Sequence, residues 1–106
     1  MAWVYLISAG ILEIVWAFAM KKSDGFTLLG PSVVTIVTMV GSFALLALAM
    51  RSLPLGTAYT IWTGIGAVGA FLVGVTFLGD LLSLQRVIAA GFILVGIVLM
   101  KLSSTA

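Results

Sequence analysis

The chain contains no cysteine and no histidine. Without cysteine there is neither a disulfide framework nor a thiolate metal site. Without histidine there are no imidazole ligands, no Ser-His-Asp arrangement and no side chain that ordinarily titrates near neutrality. Charge is scarce as well: Lys and Arg number 5 and Asp and Glu 3 among 106 residues. Five basic side chains scattered between apolar stretches form no nucleic-acid surface, despite a net charge of +2 and a pI near 9.4. Proton chemistry is therefore left to carboxylates, with Lys and Tyr as remote options, and nothing in the composition points to a cofactor or a metal ion.

What remains is apolar. The chain is 63% hydrophobic with a mean hydropathy of +1.37, outside the soluble range and inside the membrane one. Four apolar runs are legible, at about 2–20, 31–50, 55–78 and 84–102, each near the roughly 20 residues that cross a bilayer as a helix. The first is no cleavable signal, since it lacks a basic leader, is too long and is followed by three more. Polar turns separate the runs: Lys21 to Gly25, Arg51 to Gly56 and Gly79 to Ser83. Pro31 stands where a helix's first turn tolerates it, and Ser103 to Ala106 is a short polar tail. The expectation is an all-α membrane protein, a single four-helix domain over residues 1–106. Nothing remains to build a soluble catalytic domain, so the chain reads as no enzyme and any site must lie among the helices.

Four spans place the N-terminus, the second connection and the C-terminus on one side, with Arg51 and Lys101. Lys21, Lys22 and Arg86 lie on the other. Two against three is too even to fix an orientation. Such a chain can insert both ways, and two opposed copies can pair as an antiparallel dimer. Four thin helices enclose a cavity poorly, and inverted-repeat transporters solve this by internal duplication around a midplane site. No internal repeat is visible here, so the inversion would come from two subunits. The other reading is one weakly specified orientation.

Glu13 is the acidic residue of the first run, in Gly10-Ile11-Leu12-Glu13-Ile14-Val15-Trp16. By helical rise it lies roughly 10–15 Å from either end of the span, too far for a glutamate to reach water. An acid at this depth costs from about 2.5 kcal/mol upward, so it marks function unless it merely bonds a neighbouring helix as a protonated group. Trp16, three residues on, shares nearly the same face, and an indole beside a carboxylate suits a cation. Ser42 sits at comparable depth in the second span, able to orient Glu13 or a ligand, or to bond its own backbone.

The third span carries Gly56-Thr57-Ala58-Tyr59-Thr60-Ile61-Trp62-Thr63-Gly64-Ile65-Gly66. Tyr59, Trp62 and Gly66 share a face. Gly66, Ala70 and Gly74 follow the small-xxx-small spacing of close helix contacts. Gly64 and Gly66 weaken the helix locally, which would suit a bend, with tight packing as the alternative. Trp3 and Tyr5 read as interfacial belt residues, as Tyr59 also can. Gly91 and Gly96 fit a close contact of the fourth span, or a dimer seam. Asp24 and Asp80 read as members of solvated turns. A carboxyl group out of water readily holds a proton, and an entering cation favours the ionised form. Proton and cation would then compete for Glu13, the minimum needed for exchange transport, and two such groups facing one cavity would titrate as a coupled pair.

These residues resemble the small multidrug resistance family over essentially the whole chain. The resemblance rests on four short spans, a central Glu in the first, and Gly-Thr-Ala-Tyr-x-Ile-Trp-x-Gly-x-Gly from Gly56 to Gly66. It implies a dual-topology antiparallel homodimer in the bacterial inner membrane that exchanges cations for protons. Glu13 would be the shared substrate and proton site, Tyr59 and Trp62 aromatic binding residues, and Gly64 and Gly66 the flexible point. Within the family, Gly10-x-x-Glu13-x-x-Trp16-Ala17 resembles the guanidinium-exporting branch. The multidrug branch typically has a small residue where Trp16 stands, and Lys21 with Gly25-Phe26-Thr27 fits both. The guanidinium branch implies Ser42 and Trp16 as hydrogen-bonding partners of Glu13. Guanidinium, planar, can donate two parallel hydrogen bonds to one carboxylate, whereas a tetraalkyl cation needs an open aromatic cage. Rival readings are an exporter of hydrophobic quaternary ammonium cations, a dual-topology fluoride channel, which a mid-membrane carboxylate disfavours, and a non-transporting subunit or scaffold.

Overall fold

The computed structural model describes residues 1–103 of the chain, and the last three residues of the polar tail lie outside it. Four helices follow one another: α1 (Ala2–Lys22), α2 (Leu29–Ala49), α3 (Leu55–Phe77) and α4 (Leu84–Leu102). Each is apolar and long enough to cross a membrane; 19 to 23 residues span about 29–35 Å at the helical rise.

The helices form a layer rather than a bundle. α1 packs between α2 and α3, and α4 is joined to the rest through α3, giving the lateral order α2, α1, α3, α4. The described chain measures 42 × 34 × 16 Å, and its smallest extent is little more than one helix diameter of about 10–12 Å. The apolar core is gathered in the half that holds the N-terminus and the second connection, where Leu6 and Ala9 meet Leu46, Ala49 and Leu53, and Ala58, Ile61 and Trp62 of α3 close over them. α4 buries no residue at all.

The helix ends depart from the sequence pattern for identifiable reasons. α1 runs two residues past Met20 because Ser23 closes it. The fully buried Ser23 hydroxyl donates to the Met20 carbonyl at 2.7 Å and accepts from the Phe26 N–H at 3.0 Å. The chain then turns through Asp24, Gly25 and Phe26, all at positive φ (50, 71 and 66°). Non-glycine residues seldom adopt that region; here the Thr27 hydroxyl, donating to the Asp24 carbonyl at 2.8 Å, helps to hold it. α2 starts at Leu29, so Pro31 is its third residue, where a missing N–H leaves no intrahelical bond unmade. At the third connection the Ser83 hydroxyl caps α4 by accepting from the Arg86 N–H.

Helix contacts are made where side chains are absent. Gly10 of α1 receives Ile65, with 2.7 Å from a notional Cβ to Cγ2, and Gly69 of α3 receives Ile14 so closely that any Cβ there would overlap it. Gly64 faces α4, 2.8 Å from Ile97 Cδ1 on the same measure. Gly91 and Gly96 meet nothing within 4 Å, so the close contact expected of them is not made within the chain. α3 is helical without interruption through Gly64 and Gly66.

Candidate functional site

Glu13 falls on the face of α1 that packs against α3. Its carboxyl group lies against Gly66, so closely that a side-chain carbon at that position would overlap it. The absence of a Cβ at Gly66 is therefore what makes room for the carboxyl between the two backbones. Glu13 Oε1 is buried and, among the described residues, accepts no hydrogen bond. Trp16, one turn further on, has its Nε1 buried and equally unpartnered. Buried polar atoms are nearly always paired in native proteins, so two such atoms on neighbouring turns of one helix call for a partner from outside the chain's own contacts.

Ser42 is placed differently from the expectation that joined it to Glu13. It is fully buried, its hydroxyl donates to the Ala9 carbonyl of α1 at 2.7 Å, and it accepts from Trp62 Nε1 of α3 at 3.0 Å. One hydroxyl thus ties three helices and satisfies the Trp62 indole. Neither it nor Trp16 bonds to Glu13 in this structure. Trp62 is held so that 7% of its surface remains accessible, while Tyr59, one turn earlier, is 53% exposed.

The aromatic residues form a row. The Trp16 ring stands edge-on to Phe43 at 6.3 Å between centroids, Phe43 meets Trp62 at 5.8 Å, and Trp62 meets Tyr59 at 5.5 Å. The row crosses from α1 over α2 to α3 and unites Trp16, Trp62 and Tyr59. Phe43, which supplies its middle, escaped the sequence reading. The signal was present: it is adjacent to Ser42, at the same depth. Gly66 belongs with Glu13, whereas Gly64 turns to α4. A carboxyl oxygen without a donor, beside an aromatic row, is an arrangement that can receive a proton or a cation carrying N–H groups.

Four membrane-length helices, with a carboxyl group held between two of them, α1 and α3, define a small multi-pass membrane protein. The model of the family described as Small Multidrug Resistance protein matches residues 1–95, and the chain belongs to that family. It is 53% identical over 104 residues to the guanidinium exporter of Yersinia pseudotuberculosis serotype I (strain IP32953), covering 98% of this chain and 100% of that protein. Similarity to the guanidinium exporters of Citrobacter freundii (51% identical) and Salmonella typhimurium strain LT2 (52%) covers 98% of this chain and 99% of each relative. The protein is thus a multi-pass membrane protein of a bacterial transport family.

Proposed function

We propose that the chain exports guanidinium and related small guanidinyl cations in exchange for protons, as an antiparallel dual-topology homodimer in the bacterial inner membrane. The observation that carries this reading is the buried Glu13 oxygen without a partner, seated on Gly66. Proton and cation occupy that carboxylate in turn. A proton neutralises it, and guanidinium satisfies both oxygens at once through two parallel N–H donors. Because one carboxylate serves both, release of the proton on one side is linked to capture of the cation, and the exchange follows without a further device. The relatives named guanidinium exporters support the choice of cation.

Trp16 takes part by narrowing the approach and by offering its unpartnered N–H, which a second carboxylate in the dimer can accept. Tyr59 and Trp62 present ring surface to the cation. Ser42 acts here as the tie that fixes the Trp62 ring, a positioning role. Gly64 and Gly66 give α3 the freedom to bend as access alternates. A second copy is part of the reading because one layer of helices covers Glu13 incompletely.

A second reading has its own support. The row of four aromatic rings would also suit a quaternary ammonium cation. Cation-driven proton movement across liposomes containing the purified protein separates the two. Guanidinium is expected to drive a lumenal pH change that tetraalkylammonium does not, and Glu13→Gln to abolish it. A pH change driven mainly by the bulky cation selects the second reading, and no pH change with either refutes exchange by this chain alone.

A further inference from the structure

The contact between α1 and α3 does not end at Glu13. On α1 the same face continues through Ala17 to Lys21, and α3 presents Gly66, Ala70 and Gly74 at the same four-residue spacing. Where the two helices reach the first and third connections, they part around a cavity of about 250 Å³ lined by Ala17, Phe18, Lys21, Ala70, Gly74 and Asp80 among others. Two opposite charges therefore share one cavity, about 12 Å along α1 from Glu13.

Asp80 does not lie as a plain turn residue would. Gly79 adopts φ 72°, which swings the chain back so that the Asp80 N–H donates to the Gly74 carbonyl at 3.0 Å. The Asp80 carboxyl group then rests on Gly74, where any Cβ would overlap it. Gly74 is thus to Asp80 what Gly66 is to Glu13. The seat lies at the C-terminal end of α3, whose last carbonyls add partial negative charge and favour cations. Lys21 lines the same cavity yet makes no ion pair with Asp80 among the described residues. An ammonium and a guanidinium both bind carboxylate through N–H donors, the guanidinium with two in parallel.

We propose that the Asp80 carboxylate, seated on Gly74 in a cavity that Lys21 also lines, is an outer binding site for guanidinium-type cations, which the unpaired Lys21 ammonium weakens by repelling an arriving cation. The choice of cation rests on the exporter reading above; the site itself rests on the cavity and its charges. Both side chains reach water, so binding there is weak and salt-sensitive.

The test is a titration of the full chain in bicelles with guanidinium chloride, followed by the carboxyl carbon resonances of labelled aspartate, against sodium chloride at equal ionic strength. The chain has two aspartates, and Asp24 in the first connection is the internal reference. The expected result is a saturable Asp80 shift at concentrations that leave Asp24 unmoved, tightened at least threefold by Lys21→Gln. Aspartates that move together, or an Asp80 response indifferent to Lys21→Gln, would overturn the proposal. The titration is repeated on the Glu13→Gln protein. A response that persists there supports a separate outer site, and one that vanishes means that Asp80 only reports events at Glu13. Absence of guanidinium-driven proton movement with the unaltered chain would sink the exporter reading alone, since the titration uses no transport.

Discussion

Gly66→Ala asks how tightly transport depends on the position of the Glu13 carboxyl group. The three atoms nearest a Cβ built at Gly66 all belong to that carboxyl. The overlap is with the free end of a flexible side chain, which can rotate away at about 0.5–1.5 kcal/mol if it leaves its rotamer. Alanine in a helix recovers about 1 kcal/mol relative to glycine. The two nearly cancel, so thermal or denaturant unfolding of the protein should change little. The carboxyl, however, must leave its seat by on the order of 1 Å. If that breaks one of two charge-assisted hydrogen bonds to the cation, the loss is about 1.5–3 kcal/mol, or roughly 10- to 150-fold in affinity.

The assay is the concentration dependence of guanidinium-driven proton movement in liposomes, beside an unfolding curve of the same preparation. Gly10→Ala is the contrast. Its Cβ would stand 2.9 Å from Ile65 Cβ, a branched carbon that cannot swing aside, and such overpacking costs about 1–3 kcal/mol of stability, against which the same helix gain returns about 1 kcal/mol. Gly66→Ala should thus lose binding and keep its fold, and Gly10→Ala the reverse. A Gly66→Ala protein that transports with unchanged affinity, or that loses stability as Gly10→Ala does, would refute the idea that this glycine exists to seat a carboxylate.

Ser42→Ala should destabilise the fold by about 1–2 kcal/mol, because it frees the buried Trp62 N–H and cuts the link to Ala9; in a double-mutant cycle, Trp62→Phe should make most of that loss disappear, and additive losses would deny the link. Trp16→Ala removes the indole that narrows the approach to Glu13, so proton exchange driven by tetraalkylammonium relative to guanidinium should rise several-fold, and an unchanged ratio would acquit Trp16 of setting cation size. Gly91→Leu and Gly96→Leu add side chains where one chain has open space, so they should leave the helices intact but shift the protein towards monomer in light-scattering measurements if α4 forms the seam between copies.

What the sequence made legible was what a bilayer demands of each helix separately. The four spans stand out by length and hydropathy, and the depth of Glu13 follows from counting residues. Helix ends were less legible, because Ser23 holds the last turn of α1 through bonds that composition does not advertise. Contacts across helices were least legible. The Ser42 hydroxyl joins residues 33 and 20 positions away, and only the lateral register of α1, α2 and α3 decides that it meets Ala9 and Trp62 instead of Glu13. Phe43 was lost because an aromatic residue in an apolar span looks like lipid-facing bulk until its neighbours are placed. Asp80 is exposed, as a residue of a solvated turn should be, but the seat of its carboxyl group depends on a glycine six residues upstream and on the left-handed turn between them, which the sequence does not advertise.

The layer itself is the strongest physical reason to treat two chains as the working unit. A lone chain 16 Å deep places Glu13 in its central pair of helices, α1 and α3, but has no second layer to cover that pair. In water the exposed side would be solvated; in hydrocarbon it leaves an ionisable group at the edge of lipid, where the penalty is several kcal/mol. α4 cannot fold over to cover it, since it approaches α3 alone and buries none of its own residues. A second copy laid against the first would double the thickness to about 30 Å, bring a second unpartnered carboxyl and a second unpartnered indole to the same depth, and convert two isolated penalties into one shared site. The near balance of basic residues at the two ends of the spans removes the obstacle to the copies facing opposite ways. In that arrangement each membrane face would receive one Lys21–Asp80 cavity, so a cation would meet the same outer carboxylate on entering as on leaving.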